Sequence, residues 1–105
     1  MSYLLKLKSG FFKTHPYILI LAKKQIRLTP LIQDIPEGGE LNLIVINDSD
    51  IISISLNQKK AKVMELEIFS QQGSYQGVFA PNTNFEELLG LFIEEFGRKL
   101  YFVKG

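Results

Sequence analysis

The order of elements constrains this chain most: several short strand-like runs separated by turn signals come first, and one helix-like run, residues 84–97, comes last. Apolar and polar residues alternate strictly in Ile52-Ser53-Ile54-Ser55-Leu56 and in Met64-Glu65-Leu66-Glu67-Ile68. That is the period of half-buried strands whose apolar sides line one core. Ile26-Arg27-Leu28-Thr29 alternates too, whereas Tyr17-Ile18-Leu19-Ile20-Leu21 and Leu43-Ile44-Val45-Ile46 are apolar on both sides and read as better covered strands. With Tyr3 to Lys8 and Ser74 to Ala80, the pattern gives about seven strands.

The breaks have stereochemical causes. Gly38-Gly39 permits positive φ for a reversal, Lys23-Lys24-Gln25 separates two strands at hairpin distance, and Gln71-Gln72-Gly73 carries the glycine that a short hairpin often needs. Pro30 lacks an amide donor, so its strand ends there or lies at an edge, and Pro81 closes the final strand. A meander of antiparallel hairpins follows.

After Pro81 the period changes. Phe85, Leu88, Leu89, Phe92 and Phe96 fall on one stripe at helical spacing, with Glu86, Glu87 and Glu94 away from its centre. Thr83 with Glu86 fits a capping box, and Asn84 with Glu87 fits it one step later. Gly97 is a natural stop, although Leu100 and Val103 continue the same stripe and allow the helix to run on, with glycine costing about 1 kcal/mol relative to alanine.

A length of 105 residues fits one domain, 1–105, with one core. The absence of cysteine excludes a disulfide framework, a thiolate zinc site and a cysteine nucleophile. Met1-Ser2-Tyr3-Leu4-Leu5-Lys6 lacks the features of a secretory signal, and the longest apolar run, Tyr17 to Ala22, is far short of the roughly 20 residues of a membrane span. These features lead to the expectation of a cytoplasmic protein, peripheral to a membrane at most. The net charge of +1 conceals a segregated pattern: up to Gln33 every charge is positive, and from Asp34 to Gln58 every charge is negative. Such asymmetry suits either a basic face for anionic partners or hairpin faces that attract one another once strands fold back.

The layout of about seven antiparallel strands followed by one amphipathic helix resembles the pleckstrin-homology (PH) superfold, including GRAM and bacterial PH-like domains, over nearly the whole chain. The stretch from Tyr3 to Thr14 is similar to the first strand and following loop of PH domains, and Asp48-Ser49-Asp50-Ile51-Ile52-Ser53-Ile54 is similar to a strand entry in GRAM-like members. The resemblance implies a mainly β fold, a partly open barrel whose end is plugged by the stripe of the C-terminal helix. It also implies an anionic headgroup site in the first inter-strand loop, to which Lys6 and Lys13 correspond, with Lys8 and His15 nearby. The later basic pair of phosphoinositide-binding members is missing, because the chain reads His15-Pro16-Tyr17 there, and the tryptophan common in that helix is absent.

Other constellations have simpler readings. One histidine cannot build an imidazole metal cluster, and His15 has no nucleophile at a recognisable spacing, so neither a metal, a cofactor nor an enzyme activity is expected. Asn47, Asp48 and Asp50 lack the rest of a calcium loop, Glu65 and Glu67 read as the solvent side of a strand, and Lys59-Lys60-Ala61-Lys62 reads as a soluble hairpin tip. Phe11-Phe12 beside Lys13 is different, since two adjacent aromatics cannot both enter the core from one strand. The tail Leu100-Tyr101-Phe102-Val103 either packs back on the domain or supplies a self-association surface.

The leading expectation is a non-enzymatic PH-like interaction module that binds a protein partner or its own copies through an edge strand and the aromatics Phe11, Phe12, Tyr101 and Phe102. The alternative is an anionic lipid headgroup or phosphate held by Lys6, Lys8, Lys13 and His15. Nucleic acid ranks last, because a net charge near zero predicts weak backbone affinity.

Overall fold

The computed structural model describes residues 2–9, 13–31, 43–59 and 63–104, which form eight strands and one α-helix. The strands are β1 (Ser2–Ser9), β2 (Lys13–Ala22), β3 (Gln25–Pro30), β4 (Ile44–Asn47), β5 (Ile51–Gln58), β6 (Met64–Ser70), β7 (Gly73–Phe79) and β8 (Leu100–Lys104). The helix α1 (Phe85–Phe96) lies between β7 and β8, and short 3₁₀ turns occupy Asp48–Asp50 and Gly97–Lys99. Among the described residues the strands form one sheet in the order β4-β3-β2-β1-β7-β6-β5-β8, with β4 and β8 at its edges. The seven expected strands are present, and β8 is an addition; it pairs with β5 in parallel, whereas all other neighbours are antiparallel.

Alternation decides which side each strand buries. Tyr3, Leu5 and Leu7 of β1 face the core with Tyr17, Leu19 and Leu21 of β2 and Ile26 and Leu28 of β3. Ile54, Leu56, Leu66 and Ile68 supply the other half of the same cluster. Two tight turns keep this register. Ala22 pairs with Gln25 across Lys23 and Lys24, which both take positive φ (50° and 57°), as a two-residue hairpin requires. This conformation is costly for lysine. It is held from outside: the Lys24 N–H donates to Glu95 Oε2 of α1 (2.8 Å), and the Lys24 carbonyl accepts from the Asp48 N–H (2.9 Å). At the second turn Gly73 adopts φ +145°, where a side chain is strained. The expected reversal at Gly38-Gly39 lies outside the described residues.

Two meanders, β1–β4 and β5–β7, become one sheet through β1 and β7. Leu7 pairs with Gly77, and a Cβ built on Gly77 would stand 2.8 Å from Leu5 Cδ1 and 3.0 Å from the Lys6 carbonyl oxygen. Only glycine fits this approach.

The helix covers the core with the expected stripe: Leu88, Phe92 and Phe96 are buried, and Phe85 and Leu89 pack beside them. Of the two capping arrangements, Asn84 is the N-cap, and its side chain accepts from the Glu87 N–H at 3.2 Å. Thr83 instead donates to the Ala80 carbonyl at 2.7 Å. The helix ends at Phe96, and Gly97 is right-handed rather than a left-handed cap. Leu100 and Val103 therefore do not extend the helical stripe. They belong to β8, where Ile54 pairs with Leu100 and Asn57 with Val103, because the uncovered edge of β5 offers ladder hydrogen bonds that another helical turn containing glycine does not match.

Replacing Gly77 by alanine is expected to cost about 1–3 kcal/mol through overpacking. Gly90→Ala, on the helix with nothing within 4 Å of the new methyl, is expected to gain up to about 1 kcal/mol. Urea denaturation of both variants checks this, and equal effects would remove the steric account of the β1–β7 junction.

Candidate functional site

The register separates residues that are close in sequence. Lys6 pairs with Pro16 and Lys8 with Thr14, on the side of β1 opposite buried Leu5 and Leu7. His15 pairs with Leu7, and Lys13 has the same parity as His15 and buried Tyr17, so both belong to the other side of the sheet. The four residues thus divide into an outer pair, Lys6 and Lys8, and an inner-side pair, Lys13 and His15. Lys13 and His15 are also part of a strand rather than of a loop. Pro16 lies just past the Tyr17–Pro30 pair that ends the β2–β3 ladder, where its carbonyl accepts from the Leu31 N–H (3.0 Å), and the strand continues back to Lys13. Phe11, Phe12, Lys60 and Lys62 lie outside the described residues.

On the outer face, the described part of β1–β4 carries no acid. Its charges are Lys6, Lys8 and Arg27; Leu4 pairs with Ile18, and Arg27 stands between Ile20 and Val45. Leu4 is 45% exposed. The acids begin two strands further on, at Glu65 and Glu67 of β6. Lys8 shares a small polar groove of about 130 Å³ with Glu65, Glu67 and Gln76, and Gln76 donates to Glu67 Oε2 at 3.1 Å.

The other surface of interest is β8. It borders β5 on one side and forms the edge of the sheet on the other. Tyr101 (60%), Phe102 (43%) and Val103 (53%) are all exposed along it. Tyr101 and Val103 lie on the outer side, while Phe102 pairs with buried Leu56 and lines an open pocket of about 720 Å³ with Met64, Phe85, Leu89, Gln58 and Glu86. The tail therefore packs back on the sheet through its backbone and still displays three apolar side chains. The sequence reading places Val103 in this tail but not among the interaction aromatics, although its parity with Tyr101 was an available signal.

Two polar contacts anchor the helix and its exit. The Tyr3 hydroxyl donates to Glu87 Oε1, linking β1 to the first turn of α1. Lys99 Nζ donates to the Asp48 carbonyl and lies 3.4 Å from Asp48 Oδ1, which fixes the turn that launches β8. Burial, then the hydrogen bond and charge of Glu87, push the Tyr3 hydroxyl pKa well above its ordinary 10.0, and burial raises that of Tyr17. Among the described residues no group of three or more His, Asp or Glu side chains is placed to hold a metal, and no helix is long and apolar enough to cross a membrane.

Comparison with known proteins finds no family model that matches this chain and no match among curated proteins.

The Tyr3 shift gives a pH dependence with a definite sign. The fold favours the neutral hydroxyl, so its contribution is complete below pH 10, and stability falls as the unfolded tyrosine ionises above that pH. Denaturation midpoints between pH 8 and 11 are expected to fall less steeply for Tyr3→Phe than for the native chain, with about 1 kcal/mol lost at neutral pH from the missing hydrogen bond. Parallel curves would exclude Tyr3 as the group responsible.

Proposed function

We propose that the chain is a non-enzymatic, cytoplasmic PH-like interaction module that engages a protein partner, or its own copies, through the β8 edge. The observation that carries this reading is the coincidence on one strand of an open backbone edge and three exposed apolar side chains, Tyr101, Phe102 and Val103. Unpaired strand edges are templates for another strand, and natural sheets usually protect them with charge or proline. Between Leu100 and Val103, β8 has neither. The strand-then-helix layout and the stripe on α1 support the PH-like assignment, while the parallel β8 departs from the seven-strand pattern that the resemblance implied.

A second reading has its own support. The acid-free outer face of β1–β4, with Lys6, Lys8 and Arg27, suits an anionic lipid surface, in place of the first inter-strand loop. Sedimentation with vesicles decides it: binding to phosphatidylglycerol but not to phosphatidylcholine vesicles, reduced in Lys6→Gln/Arg27→Gln, is expected from that reading, and binding indifferent to lipid charge ends it.

For the leading reading, Tyr101→Ser/Val103→Ser is expected to abolish association, whether with a purified partner or between copies, while leaving the thermal midpoint nearly unchanged. Light scattering at rising concentration and partner titration measure this. A monomer whose partner binding ignores both substitutions would sink the edge-strand reading.

A further inference from the structure

The outer face of the sheet carries a charge pattern, separate from the β8 edge, whose symmetry is set by the strand register. Val78 of β7 pairs with Lys6 of β1 on one side and with Glu65 of β6 on the other, so Lys6, Val78 and Glu65 form one row across three strands. Two residues along β7, Gln76 pairs with Glu67 and shares a groove with Lys8, which gives a second row of the same kind: cation, neutral residue, acid. On this face of the described strands the cations Lys6, Lys8 and Arg27 all lie on the β1 side of β7, and the acids Glu65 and Glu67 both lie on the β6 side.

Such an arrangement is self-complementary. A two-fold axis lying in the face along β7 turns one copy over onto another, sets β1 of each against β6 of the other, and keeps every row at its own height along the strands. Lys6 then opposes Glu65 of the second copy, Lys8 opposes Glu67, and both contacts occur twice. Residues on the axis meet their own copies, where a charge would face an identical charge. The outer residues of β7 are Ser74, Gln76 and Val78, and none is charged.

The groups have capacity for these contacts. Among the described residues Lys6 and Lys8 have no ion-pair partner within 4.0 Å. Glu65 Oε2 lies 3.7 Å from Lys59 Nζ and Glu67 accepts one hydrogen bond from Gln76, whereas an ionised carboxylate offers about four acceptor sites. An anionic membrane would attract Lys6 and Lys8 but be repelled by the two glutamates standing two strands away; a second copy uses both signs. Because neighbouring strands twist by about 20–25°, the match is confined to the strands beside the axis. Exposed ion pairs are individually weak, so the contact is weak and sensitive to salt. We infer that this face joins two copies of the chain about a two-fold axis along β7, which leaves the β8 edge to a different protein.

Sedimentation equilibrium of the whole chain tests this, together with amide NMR spectra recorded on dilution. A dimer is expected whose dissociation constant rises at least about tenfold between about 0.05 M and about 0.5 M salt, because screening weakens exposed charge pairs. Dilution shifts are expected at Lys6, Val78 and Glu65 rather than along β8. Lys6→Glu/Lys8→Glu and Glu65→Lys/Glu67→Lys are each expected to be folded monomers, and the variant with all four substitutions is expected to dimerise again. A native chain that stays monomeric at low salt, or a folded quadruple variant that stays monomeric, overturns the inference. Dilution shifts confined to β8, or self-association that ignores salt and is lost in Tyr101→Ser/Val103→Ser, overturn it in favour of the β8 edge. A monomer that binds phosphatidylglycerol vesicles, and binds them more tightly as Glu65→Lys/Glu67→Lys, overturns it in favour of a membrane.

Discussion

At Gly77 a Cβ would press on β1, standing 2.8 Å from the Leu5 Cδ1 methyl and 3.0 Å from the Lys6 carbonyl oxygen. This approach joins two hairpin meanders into one sheet, and the arrangement of the core depends on it. Leu5 and Leu7 on one side and Leu66 and Phe79 on the other enter the same cluster because β1 and β7 are neighbours. A larger residue would push β1 outward, and the loss would extend through the inward rows of both halves, since close-packed cores transmit displacement.

The helix completes that core rather than forming a separate layer. Phe92 and Phe96 meet at a tilt of 45° with centroids 6.4 Å apart, and with Leu88 they cover the inner strand residues that the sheet leaves open. Its ends are tied to distant strands: Asn84 caps the start, Tyr3 holds Glu87, and Glu95 receives the amide of the strained Lys24 turn. The chain then has only a 3₁₀ turn in which to leave the helix, and Lys99 fixes that turn on Asp48. Leaving there brings it alongside β5. The strand that results closes one edge and creates another, which is why the most exposed apolar side chains of the described residues include those of β8.

Charge follows the same geometry. The basic first third of the sequence becomes three adjacent strands, so its cations are not interleaved with acids on the outer face until β6. Lys13 and His15 do not join Lys6 and Lys8 there, because pairing with β1 gives them the parity of Tyr17. A cluster that looks continuous along the chain is thus divided by the pleat.

By itself the sequence determined the seven antiparallel strands and the buried stripe of the helix, because periods of two and of 3.6 are local consequences of which side of an element meets the core. Exposure of Lys6 and Lys8 was legible from the inward alternation of Tyr3, Leu5 and Leu7, and the parity of Lys13 and His15 was legible from Tyr17 once β2 was extended through Pro16. The fate of Leu100 to Val103 was not. Four consecutive apolar residues fit a helix, a strand or a free tail equally well by pattern, and the choice went to the strand because β5 had an edge without a partner. The same holds for the glycine at position 77 and the Tyr3–Glu87 bond. Each depends on which distant segment arrives beside it, and that was decided only when the sheet assembled.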